Sequence, residues 1–113
     1  MMYKQGDILL IPFPFTDLGA IKQRPVLVLS NTDYNGLQQD IVVAAITSNV
    51  TNKDYSVLIT SSDLDDGRLK VDSLIRADKI YTFSNRMVIK KFGHLKPEVF
   101  QRIREQIEKL ISS

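Results

Sequence analysis

Residues 40–48, DIVVAAITS, are the most apolar stretch of the chain, and how they are read decides the fold. Val, Ile and Ala follow one another with no polar interruption, and the run is too short for a helix of ordinary length. The absence of strict alternation predicts a strand buried on both faces at the centre of a sheet. Ala44 and Ala45 predict close neighbours there. Thr47 and Ser48 end the run with two hydroxyls.

Working outward, residues 25–30 (PVLVLS) form a second near-continuous apolar strand, opened by Arg24, which the following proline biases toward extended backbone. Residues 7–11 read as the first strand, ended by Pro12 and Pro14, which remove ladder donors and carry Phe13 and Phe15 on an extended path. Residues 16–23, through Gly19, read as an exposed loop, and residues 31–39 as another. Shorter strands are expected at 56–60, 70–76, 79–83 and 87–91. Asp65-Asp66-Gly67 and Ser84-Asn85 are expected as turns, and Gly93 as the end of the β part. Pro97 then suits a first helical position and Glu98 the positive helix end, while Val99, Phe100, Ile103, Ile107 and Leu110 repeat at helical spacing. Glu105 and Lys109 fall on the outer face of that helix in the favourable order. The expected fold is one mainly-β domain over residues 1–113, closed by a C-terminal amphipathic helix.

A chain of 113 residues can bury a core without disulfides or a structural metal. It has no cysteine, which excludes thiolate metal sites, Cys nucleophiles and redox relays and makes the cytoplasm the expected compartment. The first seven residues reach a glycine and a carboxylate before any apolar run, and no run approaches the length of a spanning helix, so neither secretion nor a membrane is expected. A net charge of +2 neither requires nor excludes a nucleic-acid partner. With His94 as the single histidine, a mechanism using two imidazoles cannot be encoded in one chain.

The side chains that remain are few. Asp63-Leu64-Asp65-Asp66-Gly67 resembles a calcium loop only superficially, since the glycine comes one place early and Leu74 stands where the closing Glu belongs; a turn is the better account, and no metal site is expected. His94, between Gly93 and Leu95, reads as a surface or capping residue. Arg24 either pairs with one of the aspartates or serves as a cationic fork. Thr47 and Ser48 either satisfy backbone groups at a strand end or, together with Arg24, form an oxyanion or phosphate clamp. Of Phe13 and Phe15, one is expected in the core and neither as a base-stacking platform.

Gly6-Asp7-Ile8, then Lys22-Gln23-Arg24-Pro25-Val26-Leu27-Val28-Leu29-Ser30, then Ala44-Ala45-Ile46-Thr47-Ser48, then Asp72-Ser73 and Asp78-Lys79-Ile80, with Gly93-His94-Leu95 after them, resemble the PemK/MazF toxins of prokaryotic toxin–antitoxin modules. The resemblance implies a small SH3-like antiparallel barrel with a terminal helix. It implies a homodimer that cuts single-stranded RNA without metal or cofactor and is held in check by a cognate antitoxin. It also implies that Arg24 and Thr47 are the catalytic pair. Their neighbours Lys22, Gln23 and Ser48 are then candidates for phosphate or base contacts, unless they are simply solvated. Residues 17–23 hold one glycine where many relatives are glycine-rich, so no relative's preferred RNA sequence carries over. Two other functions are compatible with the same barrel: a toxin that inhibits DNA gyrase by protein contact, in a group lacking the Arg and Thr pair, and a member that binds RNA or antitoxin without cutting.

Overall fold

The apolar run becomes strand β3, Asp40–Thr47. It lies against β2, Ile21–Val28, which in turn pairs with β1, Asp7–Pro14. Four further strands complete the sheet: β4, Ser56–Ile59; β5, Leu64–Gly67; β6, Ser73–Ser84; and β7, Lys90–Leu95. The computed structural model describes residues 2–14 and 21–113; Phe15 and the expected loop over residues 16–20 lie outside them. Among the described residues the strand order is β4-β6-β3-β2-β1-β7-β5, and every pairing is antiparallel.

Both faces of the middle strands are buried, as the unbroken apolar run of β3 predicts. Ile8, Leu27, Ala44 and Ile46 face a core completed by the edge strands through Val57, Ile59 and Leu64, and by Val99, Phe100 and Ile103 of the C-terminal helix α1, Pro97–Ile111. Because the two sheet edges meet in one core, the sheet curls into an open half-barrel around that helix. Leu9, Ile11, Val26, Val28, Ile41 and Val43 form a second core on the opposite face, covered in part by Phe13 and Phe83. The helix starts at Pro97 as expected, but its apolar stripe fades: Leu110 is exposed.

Several boundaries differ from the sequence reading, each for a physical reason. Pro12 and Pro14 do not end β1, because the Leu10 carbonyl accepts from Ile89 on the β7 side while the β7 ladder stops at Leu10. Backbone groups two and four residues on face that same unpaired side, where a missing N–H costs nothing. On the other side Pro12, Phe13 and Pro14 pair with Gln23, Lys22 and Ile21, which makes residues 21–23 strand rather than loop. Residues 32–38 are a short helix, not loop. The Asn31 side chain accepts the Tyr34 amide and caps it, and Gln39 closes it at φ 56°.

The two strands expected at 70–76 and 79–83 are one strand, β6. Its register against β3 jumps from Arg76 to Ile80 while β3 advances from Ala45 to Ala44, so Ala77, Asp78 and Lys79 bulge out. Bidentate bonds from Arg76 to Asp78, at 3.0 and 2.8 Å, close the bulge, holding the guanidinium pKa up and the carboxyl pKa down. Asp65, Asp66 and Gly67 belong to β5 instead of a turn, and Gly93 sits inside β7 instead of ending the sheet. Glycine is required at the first of these places. Gly67 has φ +84°, and a Cβ there would lie 2.1 Å from the Phe92 carbonyl oxygen and 2.8 Å from the Gly93 Cα.

Gly67→Ala should therefore lower stability by about 2 kcal/mol or more, since neither backbone can yield cheaply. Gly36→Ala, inside the short helix and facing only the flexible end of Met2, should be neutral or slightly stabilising. Paired thermal melts of the two variants check this.

Candidate active site

Register brings the two site residues together. Val28, Leu27 and Val26 pair with Val43, Ala44 and Ala45, and carrying the same count two residues further sets Arg24 opposite Thr47. Side chains alternate along a strand, so Arg24 shares a face with Val26, and Thr47 with Ala45. All four line one cleft of about 210 Å³. Phe13 and Tyr81 wall it, their rings edge to face at 5.1 Å.

Arg24 is half-buried and its Nε is shut away from water. A guanidinium held against Val26, Ala45 and two aromatic rings attracts an anion more strongly than it would in bulk water. Thr47 is also half-buried, just before the turn that leaves β3. Its Oγ1 accepts the Asn49 amide at 3.1 Å, which leaves the hydroxyl proton to be donated to a ligand. Asn49 Oδ1 in turn accepts the Thr51 amide and hydroxyl, at 3.2 and 2.7 Å, so the turn that holds Thr47 is itself fixed. A cationic fork beside an oriented hydroxyl is a site for a tetrahedral oxyanion such as a phosphate.

The other candidates divide. Gln23 and Ser48 line a second, larger groove of about 580 Å³, and Arg24 reaches both spaces. Lys22 is exposed, opposite Phe13 in the ladder, and lines neither. Tyr81, which the sequence reading did not single out, joins the cleft from β6, where it lies opposite Val43 of β3. His94 is not a free surface residue: its Nδ1 lies 2.8 Å from Asp7 Oδ1, with Lys91 Nζ at 3.3 Å from the same oxygen. Asp7 is only 2% exposed, and its other oxygen accepts the Lys4 amide. Gly6, at φ +95°, passes directly beneath the His94 ring. The Gly6-Asp7 opening thus ties the start of β1 to the end of β7, outside the cleft.

Among the described residues no group of three His, Cys, Asp or Glu is placed to hold a metal, and no helix is long and apolar enough to cross a membrane. The family profile of the PemK-like, MazF-like toxins of type II toxin–antitoxin systems matches residues 4–111. The chain belongs to this family.

Solved structures agree on the fold of this PemK/MazF-like toxin. It is similar to MazF in a MazE–MazF complex from Deinococcus radiodurans, with TM-score 0.80 and 20% identity over 98% of this chain and 97% of that one. It is similar to an endoribonuclease in complex with its cognate antitoxin from a mycobacterial species, with TM-score 0.72 and 20% identity over 96% and 91%. The Mycobacterium tuberculosis toxin MazF-mt6 gives TM-score 0.72 and 22% identity over 91% and 93%. A search of curated protein sequences finds no match. The mainly-β sheet with a C-terminal helix is the architecture that the sequence resemblance implies.

Proposed function

We propose that this toxin is a metal-independent endoribonuclease that cuts single-stranded RNA at specific sequences. The observation that supports it best is that Arg24 and Thr47, from neighbouring strands, line a single cleft. In the reaction the ribose 2′-oxygen forms a bond to the adjacent phosphorus, the bond from phosphorus to the 5′-oxygen breaks, the 2′-hydroxyl loses its proton and the leaving 5′-oxygen gains one. The products are a 2′,3′-cyclic phosphate and a 5′-hydroxyl, and no water is consumed. Arg24 stabilises the charge that gathers on the phosphoryl oxygens, and the Thr47 hydroxyl donates to one of them. Arginine keeps its proton far above neutral pH, so its part is electrostatic. Gln23 and Ser48, at the mouth of the larger groove, contact the flanking RNA, and Lys22 does so from the exposed edge of β2. The toxin works in the cytoplasm as a homodimer, so sedimentation should report twice the 12.9 kDa of one chain, and a cognate antitoxin restrains it.

The test is to incubate the purified protein with a mixed RNA pool in EDTA and map new ends. New 5′-hydroxyl ends within a shared sequence support the proposal; intact RNA, or cleavage that returns only with added metal, refutes it. Thr47→Val keeps the shape and removes the donor, so cleavage should fall by about 10²-fold while the protein still folds. Rates on one defined RNA, with a melting curve beside them, check this.

A further inference from the structure

We propose that the larger groove is a phosphate track in which Arg68, Lys70 and Lys90 grip the RNA strand that flanks the cut. The inference rests on the ribonuclease reading and deepens it. The groove is more than twice the size of the cleft, at about 580 against 210 Å³, and Arg24 lines both. A strand whose scissile phosphate lies on Arg24 therefore runs directly into it.

Its charge is segregated. The chain carries fifteen Lys and Arg against thirteen Asp and Glu, yet among the described residues the groove is lined by Arg24, Arg68, Lys70 and Lys90 and by no carboxylate. Two cations outside the groove are engaged by the fold, Arg76 on Asp78 and Lys91 on Asp7. Arg68, Lys70 and Lys90 are exposed and form no ion pair among the described residues. Lys90 and Lys91 make the contrast within one strand: alternation turns Lys91 to the buried Asp7 and its neighbour to the groove.

The loop that carries two of these cations is held in place. Ser61 Oγ accepts the Leu69 amide at 2.8 Å and donates to the Leu69 carbonyl at 3.0 Å, clamping the residue between Arg68 and Lys70. Ser61 opens a turn that Thr60 and Asp63 close by bonding each other's backbone. Cations fixed before binding lose less freedom when a ligand arrives. Ile46, which is buried, and Leu10 and Phe92, which are half-buried, line the same groove. A groove with both charged and apolar lining fits a single strand, which offers phosphates and unpaired bases together.

The test uses binding as well as cleavage, so that it survives a failure of the ribonuclease reading. The probe is an oligoribonucleotide made uncleavable by deoxyribose, followed by fluorescence anisotropy over a salt series. Each phosphate contact in a single strand adds about 0.7 to the slope of log affinity against log salt, so changing Arg68, Lys70 and Lys90 together to Ala should flatten the slope by about 2. If the wild type also cuts, KM for the cleavable RNA should rise by about tenfold or more while kcat stays within about threefold. Arg102→Ala with Arg104→Ala, exposed on α1 away from the groove, removes charge as a control and should change neither. An unchanged slope in the triple variant, or an equal loss in the control, overturns the proposal. So does retained RNA affinity with lost affinity for a polyglutamate peptide, which assigns the groove to an acidic protein segment.

Discussion

Arg24→Ala should fold with a melting temperature close to that of the wild type and lose RNA cleavage by about 10²-fold or more, equivalent to about 2.7 kcal/mol of transition-state stabilisation. Folding should survive because Arg24 is only half-buried, while the apolar burial of β2 is carried by Val26, Leu27 and Val28. Cleavage should not survive, because among the described residues the lining of the cleft contains no other cation and no imidazole to take over the charge. Arg24→Lys should restore little: an ammonium is a point charge without the planar fork that engages two phosphoryl oxygens at once. Initial rates on one RNA, with a melt on the same preparations, decide it. Wild-type rates in a folded Arg24→Ala protein would remove Arg24 from the chemistry.

The residues of the pair are legible in the sequence; their meeting is not. Arg24 before Pro25 and Thr47 at the end of an apolar run are each visible as polar groups at strand ends, and the resemblance assigns them one task. That they share a face depends on the register between β2 and β3, which is set by three ladder pairs and by the turn at residues 29–39. That turn contains the helix that was missed. Its period is weak, with Tyr34 and Leu37 its only large apolar residues and Gly36 within it, so the signal lay in the Asn31 cap and not in amphipathicity.

The prolines of β1 mislead for a related reason. Whether a missing N–H matters depends on which side of the strand has a partner, and β7 stops pairing at Leu10. The larger groove was invisible because Arg68 and Lys70 come from the β5–β6 loop and Lys90 from β7, two segments brought together by the pairing of β5 with β7 that sets Gly67 opposite Gly93. The core strands and the helix start were readable because burial writes a period into the residues that serve it. Pairing partners leave no such period.

Replacing the single ribose 5′ of the cut with deoxyribose should abolish cleavage while leaving binding largely intact, the largest effect expected of any change to the substrate. The chain has no cysteine, a single histidine already engaged with Asp7, and a cleft with no carboxylate among the described residues of its lining. Among the described residues of the cleft no side chain is an activated nucleophile, so the proposed reaction uses the ribose 2′-hydroxyl, held next to the phosphate by its own chain. The advantage is one of proximity, since an intramolecular attack needs only to be brought into line. Arg24 and Thr47 contact the phosphoryl oxygens and not the 2′-position, so a deoxy substrate should keep its affinity, and DNA of the same sequence should be spared for the same reason. Mass spectrometry of the natural RNA should find a 2′,3′-cyclic phosphate upstream of the cut and a 5′-hydroxyl downstream. If the deoxy-substituted RNA is cut at a comparable rate, or the downstream product carries a 5′-phosphate, water is attacking in place of the ribose. The cleft would then have to supply a base that none of its lining residues provides, and the roles given to Arg24 and Thr47 would be wrong.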